Sequence, residues 1–573
     1  MKKIFANGRG ILLSSVIITV LMVHGPAVQA QTGWSKPYEH ALIVTAEERA
    51  TQAGLEILEK GGNAVDAAVA VQFALAVTLP RAGNIGGGGF MMVYLNDGTV
   101  RALDFREKAP AAAYKEMYLN DSGEYQPELS KTGPLAVGVP GTVDGMINAL
   151  EYYGRLPLEV VMEPAIRLAE EGYTLSYTQA NELNRAAGEL RNFDSSSGYF
   201  LKNNDSEWSE NDVFIQQDLA ETLRRIARSG RRGFYTGITA QRIVQEIRNQ
   251  GGVIDYEDLR TYQSKWREPI TTEYAGYQLH LMPPPSSGGV VISQVLGMLN
   301  SRDLAAKGYH SADYVHLLSE AMRRSFADSN YYLGDPDYTD IPLQRLINSN
   351  YLSRRFRDVR ENRATNSRNI AHGRMYEALE SIETTHFSIL DQEGNAVAVT
   401  TTLNGDFGSK LAVSGAGFLL NNDMDNFSDT SGIIDRHGLS GTEANSIEPG
   451  KRMLSNMTPA IVTRNGEVRM VLGGAGGSQI ITSVIQTFLN LVLFDMNARE
   501  AISAPRFHHQ WLPDEILTET RALSPDTEHI LTERGHTIHK TPSLSRIHLV
   551  WVEEDGLIYG EPDPRGNGVK AGY

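Results

Sequence analysis

A run of five residues, Thr384-Thr385-His386-Phe387-Ser388, could hold a nucleophile that forms only when the backbone before it is cut. A threonine hydroxyl is a weak nucleophile unless a base lies beside it, and its own α-amine is one such base. The pKa of an α-amine, about 7.7–8.0, leaves part of it neutral near pH 7. That amine exists only after the Glu383–Thr384 bond is broken. Taken alone, the run also fits the start of an ordinary strand.

The residues that follow predict the strands that would position this threonine. Thr384–Leu390 and Ala396–Thr402 flank the turn-forming run Asp391-Gln392-Glu393-Gly394-Asn395. Two apolar, β-branched segments joined by such a run are typical of a β-hairpin. The chain is therefore expected to fold back on itself directly after the cleavage point.

The hairpin also predicts which side chains lie beside the nucleophile. Antiparallel pairing about Glu393 places Thr384 opposite Thr402. Thr400, Thr402 and Asn404 would share one face of the second strand, because side chains alternate along a strand. For Thr400 an ordinary structural role fits equally well, since threonine is common in strands.

Other segments predict the frame around the hairpin. Strands are expected at His40–Thr45, Phe90–Tyr94, Val100–Phe105, Gly417–Leu420, Pro459–Thr463, Val468–Gly473 and His548–Trp551. Helices are expected at Glu47–Lys60, Asn63–Thr78 and Ser478–Leu493. The polar, arginine-rich segment Asn350–Glu383 is predicted to be a mobile connector that tolerates cleavage.

A glycine-rich run, Gly473-Gly474-Ala475-Gly476-Gly477-Ser478, leads from a predicted strand into a predicted helix. Backbone N–H groups at such a turn can point at a developing oxyanion, and the start of the helix adds positive potential. Most runs of this kind are only tight turns. A phosphate loop is excluded, because no Gly-Lys-Ser/Thr follows.

These segments and several others together resemble one family, the γ-glutamyltranspeptidases, which are N-terminal nucleophile hydrolases made as self-cleaving precursors. The resemblance runs from His40 to Tyr573 and includes the following motifs: Gly61-Gly62-Asn63-Ala64-Val65-Asp66-Ala67, Gly83-Asn84-Ile85-Gly86-Gly87-Gly88-Gly89-Phe90, Leu103-Asp104-Phe105-Arg106-Glu107, the Thr384 run, Leu420-Asn421-Asn422-Asp423-Met424-Asp425, Gly476-Gly477, Ala504-Pro505-Arg506-Phe507-His508-His509-Gln510-Trp511 and Asp563-Pro564-Arg565. So many specific motifs in one order exclude a chance match.

The resemblance implies that Thr384, freed by self-cleavage, attacks the γ-carbonyl of a glutamyl donor such as glutathione. Water or the amine of an amino acid or dipeptide would then take the glutamyl group. By position, the catalytic residues would be Thr384, Thr402, Gly476 and Gly477. The residues binding the donor α-carboxylate and α-amino group would be Arg106, Asn404, Asp423, Asn426, Ser455 and Asn456. No cofactor and no metal are implied.

Two of these positions depart from the family pattern. The family commonly has Asp where this chain has Asn426, and a second Ser where it has Asn456. An amide lacks the charge of a carboxylate, and charge-assisted hydrogen bonds are roughly twice as strong as neutral ones. Weaker recognition of the α-amino group would favour glutaryl donors, so a glutaryl or cephalosporin-type acylase is the alternative function.

Composition limits the remaining classes. Residues 1–30 combine Lys2, Lys3 and Arg9 with a short apolar stretch and small residues before Gln31, as expected of a secretory signal peptide. Without them, 50 basic residues would face 69 acidic ones, which disfavours nucleic acid and anionic membranes. The chain has no cysteine, so thiol catalysis and disulfides are excluded. Export to a bacterial periplasm is expected, with secretion as the other possibility.

The sequence thus predicts an α+β protein, and the resemblance implies a four-layer αββα sandwich. Its parts would be a signal peptide at 1–30, a large subunit at 31–383 and a small subunit at 384–573, which form a heterodimer of the chain's own two fragments. No membrane anchor would remain after signal removal. An exported binding protein that keeps this fold without chemistry is the non-enzymatic alternative, and self-cleavage would distinguish the two.

Overall fold

The strands of the protein, in a computed structural model, fall into two large sheets and two small ones. The structure describes residues 36–202, 206–370, 384–428 and 442–573. Their strands are β1 Leu42–Thr45, β2 Gly88–Tyr94, β3 Val100–Asp104, β4 Tyr173–Thr174, β5 Val213–Phe214, β6 Lys265–Arg267, β7 Ile270–Tyr274, β8 Tyr277–Leu281, β9 Thr385–Leu390, β10 Ala396–Thr402, β11 Ala460–Arg464, β12 Glu467–Ala475, β13 Phe507–His508, β14 Ile516–Glu519, β15 Ile538–Thr541, β16 Arg546–Val552, β17 Ile558–Pro562 and β18 Val569–Gly572.

The helices are concentrated in the first two thirds of the chain. They are α1 Glu48–Glu59, α2 Ala64–Thr78, α3 Pro127–Lys131, α4 Thr142–Tyr153, α5 Leu158–Glu171, α6 Tyr177–Leu190, α7 Asp194–Phe200, α8 Gln217–Ser229, α9 Arg232–Tyr235, α10 Gly237–Asn249, α11 Tyr256–Thr261, α12 Gly288–Leu299, α13 Leu304–Lys307, α14 Ala312–Tyr332, α15 Leu343–Leu346, α16 Ser349–Arg355, α17 Gln479–Leu493, α18 Ala498–Ser503 and α19 Pro525–Glu533. None of these helices is both long and apolar enough to cross a membrane.

The two large sheets stack face to face between two layers of helices. The first sheet has the strand order β18-β1-β9-β10-β2-β3-β6, and the second β17-β16-β12-β11-β8-β7. One apolar core joins the first sheet to α1, α2, α4 and α5, and another joins the second sheet to α12, α14 and α17. A third core lies between the sheets. The predicted αββα sandwich is confirmed.

Side-chain alternation along the hairpin explains this layering. In β9 and β10, Phe387, Ile389, Val397 and Val399 belong to the core under the helices. Ala398, on the opposite face of β10, belongs to the core between the sheets. Successive residues of the hairpin therefore face the helices and the second sheet in turn.

The register of the hairpin matches the prediction. Thr385 pairs with Thr401 and Leu390 with Ala396 in an antiparallel ladder. Continuing that register by one residue sets Thr384 opposite Thr402. The strands predicted at 459–463, 468–473 and 548–551 are also present, each displaced by one to two residues at its ends.

Two predictions for the chain near the site are wrong. Gly417–Leu420 is not a strand: Gly417 has φ +79°, and only an isolated bridge joins Leu419 to Ala412. Asn404 does not continue β10, which ends at Thr402, and it adopts a left-handed φ of +75°. The alternation argument therefore fails for Asn404.

The segment predicted as a mobile connector is bound to the domain as far as residue 370. Thr365 N–H donates to Glu320 at 2.9 Å, and Ser367 N–H donates to Asp514 at 2.9 Å. Trp511 Nε1–H donates to the Ser367 carbonyl at 2.9 Å. Backbone hydrogen bonds to side chains of other segments therefore hold this part of the chain in place. The rest of the predicted connector, 371–383, lies outside the described residues.

The start of α2 shows how the first motif of the chain supports the hairpin. Asn63 caps the helix and Asp66 completes the capping box. Ala64 N–H donates to the Asp391 carboxylate of the hairpin turn at 2.9 Å. Asp391 also accepts from the N–H of Asn395 at 3.0 Å, so one carboxylate links the turn to the helix.

Candidate active site

Thr384 directly precedes β9, at one end of the sheet sandwich, and is 6% exposed. It lines a small polar cavity with Thr402 and Gly477. The Thr402 hydroxyl accepts the N–H of Asn404 at 2.8 Å, which fixes the turn after β10. A Cβ at Gly87 would lie 2.1 Å from the Thr402 carbonyl, so glycine is needed where this backbone passes.

His386 lies on the face of β9 that carries Ser388, and its role is structural. Its Nδ1 is 2.8 Å from Thr400 Oγ1, and its Nε2 is 3.0 Å from Ser388 Oγ. Burial, together with the nearby His548, lowers the pKa of His386 well below its usual value. A neutral imidazole with both nitrogens hydrogen-bonded holds the two strands together. Thr400 therefore has the structural role rather than a catalytic one.

The predicted oxyanion turn leads from β12 into α17. Gly476 has φ +137° and Gly477 has φ +57°, and both values lie in the region that favours glycine. The Ile480 N–H donates to the Gly477 carbonyl at 3.1 Å, as the first turn of the helix forms. Gly477 and Ile480 line the Thr384 cavity. Backbone amides at this turn can bind an oxyanion next to Thr384.

Arg106 forms the cationic end of the cavity and is 1% exposed. Its Nη1 contacts Asp423 Oδ1 at 2.5 Å and Glu107 Oε2 at 3.1 Å. Asp423 does not line the cavity itself and is fully buried. The guanidinium thus presents one edge to the cavity while two carboxyl groups hold it from behind.

Asn426 links this cluster to the turn after β10. Its Nδ2 donates to Asn404 Oδ1 at 3.1 Å and to Asp423 Oδ1 at 3.0 Å. Its carbonyl accepts from Asn445 at 2.8 Å. An aspartate at this position could not donate either of the first two bonds, so the amide fits its neighbours as they stand.

Ser455 and Asn456 also line the cavity. Ser455 pairs with the loop before α12 through its backbone, since the Ser287 N–H donates to the Ser455 carbonyl at 2.8 Å. The Ser287 hydroxyl donates to Asn456 Oδ1. This contact fixes the orientation of the Asn456 amide. Ser287 is therefore a positioning residue for Asn456.

The structure brings most of the predicted site residues around one cavity. Those lining it are Arg106, Thr384, Thr402, Asn404, Asn426, Ser455, Asn456 and Gly477, together with Met457 and Ile480. Asp423 lies behind this wall, and Gly476 lies beside it in the same turn. The sequence prediction missed Glu107 and Ser287. Both stood in noticeable motifs, one directly after Arg106 and one in the Pro-Pro-Pro-Ser-Ser loop, but only contacts reveal what they touch.

A second, larger cavity also reaches Thr384. Thr385, His386, Ala475, Arg546 and His548 line its inner part, and the turn containing Asn567 lines its rim. Four glutamates and four arginines contribute to its walls. The described residues therefore place Thr384 where a small polar cavity and a larger, charge-balanced one meet.

One cluster has the geometry of a metal site but not its electrostatics. His316, Glu320 and His536 bring potential ligand atoms within 4.8 Å of one another. The Glu320 carboxylate is already paired with Arg324 at 2.5 Å and Arg323 at 3.6 Å. Two adjacent guanidinium groups oppose a cation, so we assign no metal to this cluster.

Comparison with known proteins agrees with this geometry. Residues 50–573 match the family described as Gamma-glutamyltranspeptidase. A glutathione hydrolase proenzyme of Escherichia coli (strain K12) is 43% identical over 537 residues, covering 93% of this chain and 92% of that protein. The structure of a cephalosporin acylase from Bacillus halodurans has a TM-score of 0.81 at 27% identity and covers 95% of this chain and 98% of that chain.

A solved chain of the Helicobacter pylori γ-glutamyltranspeptidase is 44% identical, with a TM-score of 0.56, and covers 58% of this chain and 96% of its own length. The family match includes the β9–β10 hairpin, the glycine turn before α17, and the cavity residues Arg106, Asn426 and Ser455. This protein therefore belongs to the γ-glutamyltranspeptidase family and is an enzyme with an N-terminal nucleophile hydrolase fold.

Proposed function

We propose that this enzyme takes the γ-glutamyl group from glutathione and related γ-glutamyl compounds and passes it to water or to amino acids and dipeptides. The observation that carries the proposal is the single cavity in which Thr384, Thr402 and Gly477 meet Arg106. The nucleophile and the oxyanion turn suit the γ-carbonyl of a glutamyl donor, and the cation suits its α-carboxylate. The E. coli glutathione hydrolase proenzyme supports the same activity.

We infer that maturation cuts the Glu383–Thr384 bond. Thr384 Oγ1 would attack the Glu383 carbonyl, the C–N bond would break to give an ester and a free α-amine, and water would hydrolyse the ester. The products are the subunits 31–383 and 384–573. In support, the H. pylori chain aligns over 96% of its length yet covers only 58% of this chain, as a large subunit alone would.

The sheet topology supports one interlocked unit after cleavage. In the first sheet, β1 from the first fragment lies between β18 and β9 from the second. In the second sheet, β8 from the first fragment pairs with β11 from the second. Each fragment alone would expose unpaired strand edges, so the two are expected to remain a heterodimer. Residues 1–30 would direct export to the periplasm.

The acyl transfer follows from the same groups. The free α-amine of Thr384 would take the proton from Oγ1 as the oxygen attacks the donor γ-carbonyl. The amides of Gly476 and Gly477 would stabilise the oxyanion, and Thr402 would orient the nucleophile. The protonated amine would then give its proton to the leaving nitrogen, and water or an acceptor amine would release the glutamyl group from the ester.

Arg106, Ser455 and Asn456 would bind the donor α-carboxylate, because they supply a guanidinium, a hydroxyl and an amide at one end of the cavity. Asn404 and Asn426 would face the α-amino group, and the negative charge of Asp423 behind them would attract it. If the glutamyl head fills the small cavity, the group on the other side of the γ-carbonyl must extend into the larger one. The balanced charges there suit a zwitterionic amino acid or dipeptide.

Blocking the rim of the larger cavity is expected to discriminate against bulky leaving groups. Asn567 is an exposed turn residue at that rim, and Asn567→Trp would narrow it. We expect the ratio of kcat/KM for glutathione to kcat/KM for glutamine to fall about tenfold, since roughly 1.4 kcal/mol of lost contact gives that factor. Glutamine loses only ammonia and should be unaffected.

Asp555→Trp is the matched control, because Asp555 lies in another exposed turn outside this cavity. The two substrates are compared by release of glutamate. An unchanged ratio in Asn567→Trp would mean that the leaving group lies outside the larger cavity. A parent that does not hydrolyse glutamine would contradict the proposed function itself.

The acylase alternative depends on Asn426. A comparison of γ-glutamyl and glutaryl substrates tests the proposed function against this alternative. We expect the parent to hydrolyse a γ-glutamyl anilide faster than its glutaryl analogue, because Asp423 supplies the countercharge that Asn426 lacks. Asn426→Asp should raise this ratio of kcat/KM about tenfold, since one charge-assisted bond contributes on the order of 1–2 kcal/mol. A second carboxylate would also repel the glutaryl group, which brings no cation.

Asn465→Asp, in the exposed turn between β11 and β12, makes the same change of charge away from the site and should leave the ratio unmoved. A parent that prefers the glutaryl substrate would establish the acylase. A ratio unaffected by Asn426→Asp would mean that residue 426 does not contact the donor.

A further inference from the structure

Three charged side chains form a buried cluster at the donor end of the cavity. Arg106 Nη1 is 2.5 Å from Asp423 Oδ1 and 3.1 Å from Glu107 Oε2. Each of the three residues is at most 1% exposed. If both carboxyl groups were ionised, one guanidinium would have to balance two negative charges away from water, which is costly.

Each carboxyl group also has one oxygen without a partner. Glu107 Oε1 and Asp423 Oδ2 are buried, and neither has a hydrogen bond within the described part of the chain. The two carboxyl groups nevertheless lie close together, because both contact the same nitrogen, Arg106 Nη1. Two ionised carboxylates cannot bond, because both only accept. A single proton would turn one carboxyl group into a donor and allow a hydrogen bond between the two.

We propose that Glu107 carries this proton and donates it in a hydrogen bond to Asp423, so that Glu107 controls donor affinity through the charge of the Arg106 cluster. The inference rests on the proposed function of the site. With the proton in place, Arg106 keeps its charge for the donor α-carboxylate and Asp423 keeps one negative charge for the α-amino group. Glu107 is then a positioning residue that touches no substrate atom.

The surroundings favour the protonated form. Burial, and next the negative charge of Asp423, raise the pKa of Glu107 well above its usual value, while Arg106 opposes the shift. A Cβ at Gly88 would lie 2.6 Å from Glu107 Oε2, so β2 covers the carboxyl group closely. The Tyr262 phenol, which donates to the Arg106 carbonyl at 2.8 Å, is a further titratable group beside the cluster.

Beyond Asp423, the Asp425 carboxylate adds further negative potential and is held by Ser130 at 2.5 Å. The direction of the pH effect follows from these groups. A group with a raised pKa keeps its proton at low pH and loses it as pH rises through that pKa. Loss of the proton would give the cluster a net negative charge and repel the donor α-carboxylate, so donor KM should rise in alkaline solution.

Glu107→Gln tests this inference in the mature, cleaved enzyme. Glutamine has nearly the same shape, remains neutral, and can donate an N–H to Asp423. We expect the parent KM for a γ-glutamyl anilide to rise with pH by up to about tenfold per unit, the limit for one proton, and the Glu107→Gln KM to lack this rise. The donor amine and the Thr384 amine titrate in both proteins, so the difference between them reports on Glu107.

Infrared difference spectra, recorded without substrate, give a second readout that does not depend on activity. The parent should show a carboxylic-acid C=O band that disappears in alkaline solution and is missing from Glu107→Gln. Asp423→Asn should also lack the band, because its amide would donate to an ionised Glu107. Its KM should be raised at every pH, since the negative charge that attracts the donor ammonium is lost.

Both variants must run as two chains on a denaturing gel, which controls for folding and maturation. A parent without the infrared band, or the same rise of KM with pH in the parent and Glu107→Gln, would overturn the shared proton. Absence of γ-glutamyl hydrolysis in the parent would instead contradict the proposed function, and the spectra would still decide the state of Glu107.

Discussion

Purified Thr384→Ala is expected to run as one uncut chain on a denaturing gel, while the parent separates into two. The alanine lacks the hydroxyl that is proposed to attack the Glu383 carbonyl, so cleavage and γ-glutamyl hydrolysis should both fall to background. Loss of an enzyme's nucleophile commonly costs several powers of ten in rate, as for the serine of a hydrolase triad. No other change in this chain is expected to have a larger effect.

Thr384→Ser is the matched control, because it keeps the hydroxyl and removes only a methyl group. It should still divide into two chains, and mass spectrometry should find residue 384 at the new N-terminus of the smaller one. A parent that stays uncut yet hydrolyses γ-glutamyl anilides would contradict the mechanism, and so would a Thr384→Ala protein that is cut at the same bond.

The hairpin shows what could be predicted from the sequence. Its pairing was predictable because the turn sequence and the alternation of side chains determine register locally. Thr384 opposite Thr402 follows from counting residues, and Thr385 pairs with Thr401 as expected. The glycine turn before α17 was predictable for the same reason, since its φ values require glycine.

Contacts between distant segments could not be predicted in this way. Glu107 and Asp423 are 316 positions apart, and nothing in either local pattern indicates that their carboxyl groups meet on one arginine. The family resemblance predicted that Arg106 belongs to the site, but not that Asp423 would already be paired with it. The polar segment before residue 370 misled for a similar reason, because its partners, Glu320 and Asp514, come from other parts of the chain.

Asn404 shows the opposite case, a residue that reaches the cavity for a reason other than the predicted one. Alternation along β10 predicted that it would face the nucleophile, but the strand ends at Thr402 and Asn404 has a left-handed backbone. Its side chain still reaches the same cavity, since the Thr402 hydroxyl accepts its N–H and fixes the turn. A turn, which local alternation does not describe, brings it there.

Arg106→Lys is expected to raise donor KM strongly while leaving maturation intact. A lysine keeps the positive charge but has no planar fork, so it cannot bind a carboxylate with two parallel hydrogen bonds. Hydrogen bonds to charged groups contribute about 1.5–3 kcal/mol each, so losing one should raise KM roughly 10- to 100-fold. The nucleophile and the oxyanion turn are unchanged, so kcat should fall much less than affinity.

Arg106→Lys should also lower stability, because Arg106 contacts both Asp423 and Glu107. A lysine ammonium is compact and cannot bridge Asp423 and Glu107 while also facing the cavity, so one of the two buried carboxyl groups should lose its partner. The thermal midpoint of the mature enzyme should therefore fall as well. Arg101→Lys, in the strand β3 that precedes Arg106, changes a partly exposed arginine that faces Glu268; it is the control and should change neither KM nor stability. An Arg106→Lys enzyme with the parent's KM would mean that Arg106 supports Asp423 and Glu107 only, and that the donor carboxylate is bound elsewhere.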